Sequence, residues 1–252
     1  AIRRQRQMCI RDRYNILLMD GQLDVAMISM LEQKFEKSRF TRVDSDVIDR
    51  LIAKEEHKEA NLESNQREIL SSVFRSQLPQ IKKVEFNVET QSLGENGAPI
   101  MITQSEYMRR MKEMANIQAG MSFYGEMPNM YNLVLNADHK LVKQVLTDAD
   151  NSCKAALEPI ESEMTSLNNR RKELQKAQEG KKTEDIPQAE KDELNDIEKK
   201  ISDETTKKQA VLGEYANGNK IIHQLIDLAL LQNNMLKGEA LTNFVKRSIE
   251  LI

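Results

Sequence analysis

KVEFNVETQSLGENGAPIMITQSEYMRRMKEM, residues 83–114, changes its period part-way along. In its first part Val84, Phe86 and Val88 alternate with charged or polar neighbours, the period of a half-buried strand. Gly94, Asn96-Gly97 and Pro99 are turn residues, and residues 100–103 read as a second short strand. From Ser105 the period lengthens. At about 100° per residue, Met114, Tyr107, Met111, Ala115 and Met108 share an apolar arc of about 120°, and Lys112, Arg109, Glu113 and Arg110 fill the rest of the circle. Strands followed directly by an amphipathic helix predict an α+β fold.

Seven of the thirteen methionines fall between Met101 and Met130: Met101, Met108, Met111, Met114, Met121, Met127 and Met130. Methionine is unbranched and polarizable, so it serves equally to fill a core or to re-pack against varied partners. Met101 and Met130 belong to or flank strands and are assigned to the core. The candidate binding face is Tyr107, Met108, Met111 and Met114. Met121, Phe123, Tyr124 and Met127 lie on a flank without period, where Gly125 and Pro128 exclude a long helix.

The totals narrow the class. The chain has 252 residues, 39% apolar and 31% charged, with 4% aromatics and no Trp. That mix favours long solvated helices over a compact β fold. No uninterrupted apolar run reaches the length of a membrane span, and no secretory signal pattern opens the chain. Cys9 and Cys153 form no disulfide or metal pattern, so a cytoplasmic setting is expected. A net charge of −3 carries no footprint for nucleic acid.

Residues 1–13 carry five arginines and one aspartate without a hydrophobic period. Met8 to Arg13, MCIRDR, resembles the in-frame translation of a sequencing adapter, so this segment is read as non-native. Removing it takes the net charge from −3 to −7. On this reading the natural chain continues upstream of Tyr14.

Around the central stretch the pattern is mostly helical. Residues 16–19 and 39–43 read as strands flanking a helix that carries Leu23, Ala26, Met27, Met30, Leu31 and Phe35. This unit is too small to stand alone, so residues 14–46 are expected to end a larger α/β domain. A charged connector, 44–65, includes His57, read as solvated. Then come a helix with Ile69, Leu70, Val73, Phe74 and Leu78 inward, a strand at 131–136, and a helix with Asp138 as its N-cap.

Residues 153–215 follow 3-4 heptad spacing. Leu157, Ile160, Met164, Leu167, Leu174 and Gln178 form one seam, with Arg171 interrupting it. Leu194, Ile197, Ile201, Glu204, Lys208, Val211 and Tyr215 form another. A turn around Pro187 would join them in an antiparallel coiled-coil hairpin, an inserted arm about 32 Å long. After Asn217-Gly218-Asn219 come two apolar terminal helices. They suit symmetric association into a four-helix bundle. The residues assigned to a homodimer interface are Ile222, Leu225, Leu228, Ala229, Leu241, Phe244, Val245, Ile249 and Ile252.

Four stretches resemble the ninety-kilodalton heat-shock chaperone family (heat shock protein 90), closest to its bacterial branch. DGQLDVAMISMLEQKFEKSRFTRV, residues 20–43, resembles the end of that family's middle domain. SEYMRRMKEM, 105–114, resembles its M-E-R-I-M-K segment, with Tyr107 in place of the first methionine and Met111-Lys112 matching its M-K pair. YNLVLNADHKLV, 131–142, resembles its E-I-N-P-D-H segment. There Asn136, Asp138 and His139 match and Ala137 replaces the proline. Residues 221–252 resemble its closing dimerisation helices. The heptad arm, 153–215, departs from the short connection expected at that place.

The resemblance implies that 47–252 is a C-terminal dimerisation domain and that the whole protein is an ATP-driven chaperone for partly folded client proteins. ATP and Mg would belong to upstream domains. This chain is expected to need no cofactor or metal and to have no catalytic residues, with His139 structural. Neither nucleic acid nor membrane is an expected partner. A coiled-coil scaffold with the methionines in the core is the competing reading, and an enzyme is a third.

Overall fold

A computed structural model describes residues 16–19, 21, 23–43, 45, 62–115, 125–179 and 187–250. In chain order the elements are α1 (Asp24–Lys34), α2 (Ser64–Ser76), β1 (Val84–Gln91), β2 (Ile100–Gln104), α3 (Glu106–Ala115), β3 (Asn129–Asn136), α4 (Lys140–Gln178), α5 (Gln188–Gly218), α6 (Lys220–Gln232) and α7 (Glu239–Glu250). The described residues are helix-rich with one small mixed sheet, an α+β arrangement. None of these helices is long and apolar enough to cross a membrane.

The sheet order is β1-β3-β2. β3 runs parallel to β1, from Val84 opposite Asn129 to Gln91 opposite Asn136. It runs antiparallel to β2, from Ile100 opposite Leu135 to Gln104 opposite Tyr131. The two strands nearest in sequence are therefore not neighbours in the sheet. The reason lies in β3, where Leu133, Val134 and Leu135 are consecutive and fully buried. An unbroken apolar run of this kind belongs in the middle of a sheet covered on both faces.

Asn136 fastens the loop that spans β3. Fully buried, it accepts from the backbone N–H groups of Leu93 and Asp138, each at 3.1 Å, and donates to the Gly94 carbonyl at 2.9 Å. Gly94 has φ of 75°, a region costly for any residue with a Cβ. Gly97 packs so closely that a Cβ there would lie 2.6 Å from the Leu93 carbonyl oxygen.

One apolar core joins the layers. Ile69, Leu70, Val73 and Phe74 of α2 meet Val88, Leu133 and Leu135 of the sheet and Val142 and Val145 of α4. α5 adds Leu212 and Ala216, and α6 adds Ile222, Ile226 and Leu230. α4 is one helix of 39 residues. The helix expected after Asp138 and the first arm helix expected from residue 153 are thus continuous. Pro159 lies within it on the exposed side. α4 and α5 run antiparallel against each other, with Arg170 Nε 2.7 Å from Glu193 and Lys208 Nζ 3.1 Å from Glu161. Every heptad position named above is buried or half-buried, including Glu204 and Lys208.

Several local expectations are corrected. Residues 16–19 and 39–43 are not strands. Leu17 and Leu18 are exposed, and the Phe40 N–H donates to the Glu32 carboxylate at 2.7 Å instead of to a neighbouring strand. Asp138 does not cap α4. Its carboxylate accepts from the Ser92 hydroxyl at 2.5 Å and from the Gly94 N–H at 2.9 Å. His139 caps the helix instead, with Nδ1 accepting from the Leu141 N–H at 3.2 Å. Met130 is exposed at the open end of β3, not in the core, and Met101 is half-buried. The connector residues 44 and 46–61, His57 among them, lie outside the described residues.

Candidate functional site: the methionine face of α3

α3 is a ten-residue helix with no buried residue. Its polar side is the docked side. Arg110 Nη1 lies 2.7 Å from Glu32 of α1, Nη2 donates to the Phe40 carbonyl at 2.5 Å, and Nε lies 2.6 Å from Glu106 one turn back. Arg42 Nη2 bonds Glu113 at 2.5 Å, and Lys112 Nζ donates to Asn129 Oδ1 at 2.7 Å. The hydrogen bond from Arg110 holds the Glu32 carboxyl below its usual range, against the opposing effect of burial. Burial works against the Arg110 charge, but hydrogen bonds with Glu32 and Glu106 outweigh it and raise Arg110 above its ordinary value.

Docking of the charged side orients the apolar arc. Tyr107 is 62% exposed. Met108, Met111 and Met114 are half-buried, as is Met127 after the helix. Met121, Phe123 and Tyr124 lie outside the described residues. The helix therefore presents a partly open surface of flexible apolar side chains on a charged base. Such a surface can adapt to apolar segments of different shape. The charged base was not anticipated. In the sequence Arg109, Arg110, Lys112 and Glu113 are only the polar remainder of the helical circle, because the acidic and backbone partners supplied by residues 32–42 are distant in sequence.

The terminal helices divide the second group of candidates. Ile222, Leu225 and Ala229 are buried within the protomer's own core. Leu228, Leu241 and Phe244 are half-buried. Val245 and Ile249 are exposed, at 48% and 69%. Ile252 lies outside the described residues. A polar clamp ties α7 to α6. Arg247 bonds Asp227 and, at 3.1 Å, Gln224, while Gln224 donates to Ser248 at 2.6 Å. Burial pushes the Asp227 carboxyl up, and Arg247 opposes that shift. The clamp turns Leu241 and Phe244 toward the core and leaves Val245 and Ile249 outward.

Known relatives settle the family. Over 239 residues, 95% of this chain, the sequence is 70% identical to a chaperone protein HtpG of Bacteroides fragilis. It is 68% identical over the same length to HtpG of Bacteroides thetaiotaomicron, and 46% identical over 241 residues to HtpG of Porphyromonas gingivalis. The chain belongs to the HtpG family. It spans about a third, 35%, of the length of these HtpG relatives. No family model and no solved structure matches it. Among the described residues no group of three or more His, Cys, Asp or Glu is placed to hold a metal ion.

Proposed function

We propose that this chain is the C-terminal third of an HtpG-type chaperone and acts as its dimerisation and client-binding module. In this reading residues 14–46 end the middle domain, and 47–252 form the C-terminal domain. Residues 153–215 form a coiled-coil hairpin on it. The whole protein would be a cytoplasmic homodimer driven by ATP and Mg in its upstream domains. This part would have no catalytic residues.

One observation carries the client-binding reading: the charged side of α3 is docked while Tyr107 stands exposed on the apolar side. A helix that served only the core would bury that apolar side, as α2 buries Ile69, Leu70, Val73 and Phe74. The half-buried methionines beside Tyr107 suit unfolded segments, which offer no fixed shape. The names of the relatives support a chaperone. The test replaces Met108, Met111 and Met114 with Ser and measures suppression of aggregation of a thermally unfolded protein. Suppression should fall several-fold while the thermal transition of the α2–sheet core stays in place. Unaltered suppression by a folded triple variant would sink the assignment.

A further inference from the structure

α3 is held in an unusual way for a ten-residue helix. Helices of this length are marginal alone and take most of their stability from burying an apolar face. α3 buries no residue. What attaches it is a charged latch reaching back about seventy residues in sequence. Arg110 sits at the centre, with its side chain only 16% exposed, between Glu32 at 23% and Glu106 at 20%. Its guanidinium uses Nη1 and Nη2 on Glu32, Nη2 on the Phe40 carbonyl, and Nε on Glu106. Arg42 and Glu113 make a second tie on the same side.

We infer that Arg110 is a positioning residue that couples the presentation angle of the α3 methionine face to α1 through Glu32. The inference rests on the client-binding reading for its purpose, but not for its geometry. A planar guanidinium bonded to two carboxylates and a carbonyl fixes direction as well as distance. Glu32 lies near the end of α1, so a shift of α1 would carry α3 with it.

A second observation fits a coupling that can change state. Within the latch, Arg42 Nη1 and Glu106 Oε2 are buried without a hydrogen-bond partner among the described residues. Fully satisfied networks rigidify a single arrangement, whereas a network with unmet donors and acceptors has less holding it to one. Among the described residues the latch combines a directional centre with an unsatisfied edge.

The test compares the chain with its E32Q, R110M and R110K variants by amide hydrogen exchange. In E32Q and in R110M, exchange across residues 106–115 should accelerate about tenfold or more. Exchange in α2 and β3 should be unchanged. The double variant E32Q/R110M should exchange no faster than the faster single variant, because both remove one interaction. R110K keeps the charge and should recover part of the protection. If R110M fails to fold, the near-isosteric E32Q decides alone. Unchanged exchange of 106–115 in E32Q overturns the inference, as does strict additivity in the double variant. Aggregation suppression measured on the same proteins separates the two readings. Accelerated exchange with no suppression by any protein, the parent included, would reject the client role and leave the latch standing.

Discussion

Lys208 Nζ lies 3.1 Å from Glu68 on α2 and 3.1 Å from Glu161 on α4, with its side chain only 5% exposed. It also donates to Asn65 Oδ1 at 3.0 Å. One ammonium on α5 therefore ties three helices together, at a heptad position that a coiled coil would ordinarily give to an apolar residue.

Removing that ammonium should separate packing from charge. Lys208→Ala leaves a gap and two carboxylates facing each other, and should cost about 1–3 kcal/mol, discounted for the partial exposure of both glutamates. Lys208→Met keeps the apolar stem and should cost clearly less, because apolar replacements of buried ions are often tolerated. Urea unfolding of both variants checks the order. Equal losses would mean that the charge, and not the packed stem, accounts for the effect.

His139 makes a pH-dependent cap. Nδ1 can accept from the Leu141 N–H only while unprotonated. Burial, helped by the neighbouring Lys140 charge, holds the His139 imidazole below its ordinary pKa. The folded chain therefore binds the proton less readily than the unfolded chain. The cap's contribution is complete above about pH 6.5 and is lost as pH falls through the lowered folded value. His139→Ala should cost about 1 kcal/mol at pH 7.5 and less at pH 5. Denaturant midpoints of parent and variant across that range provide the check, and a constant gap would exclude the cap as its source.

Val245 and Ile249 should affect association without affecting folding. Val245→Glu with Ile249→Glu places charge on an exposed stripe of α7. We expect a weaker dimer in sedimentation and an unchanged unfolding midpoint for the protomer. Leu225→Ala, by contrast, opens a cavity in the core and should cost about 2–5 kcal/mol. A dimer undiminished by the two charges would move the interface away from this stripe.

Periodicity carried much of the architecture. The two-residue alternation around Val84, Phe86 and Val88 marked β1, and the heptad spacing of Leu157, Leu174, Ile197 and Lys208 marked the inward faces of α4 and α5. These patterns are local: a side chain's direction follows from its place in its own helix or strand. The same period runs through residue 153, where Val142, Val145, Ala149, Cys153 and Leu157 line one buried side of the continuous α4.

The amino-acid order alone determined which faces are apolar and the resemblance to a chaperone family. Tertiary structure decided which apolar faces stay available. Leu225 and Val245 are equally apolar in the sequence, yet one lies in the core and the other on the surface, because the Arg247–Asp227 clamp sets the rotation of α7. The charged side of α3 is likewise only the polar remainder of a helical circle in the sequence, and residues 32–42 supply its hydrogen-bonding partners in the fold. Burial and ion pairing depend on partners brought together from distant parts of the chain, and helical or strand period carries no information about them.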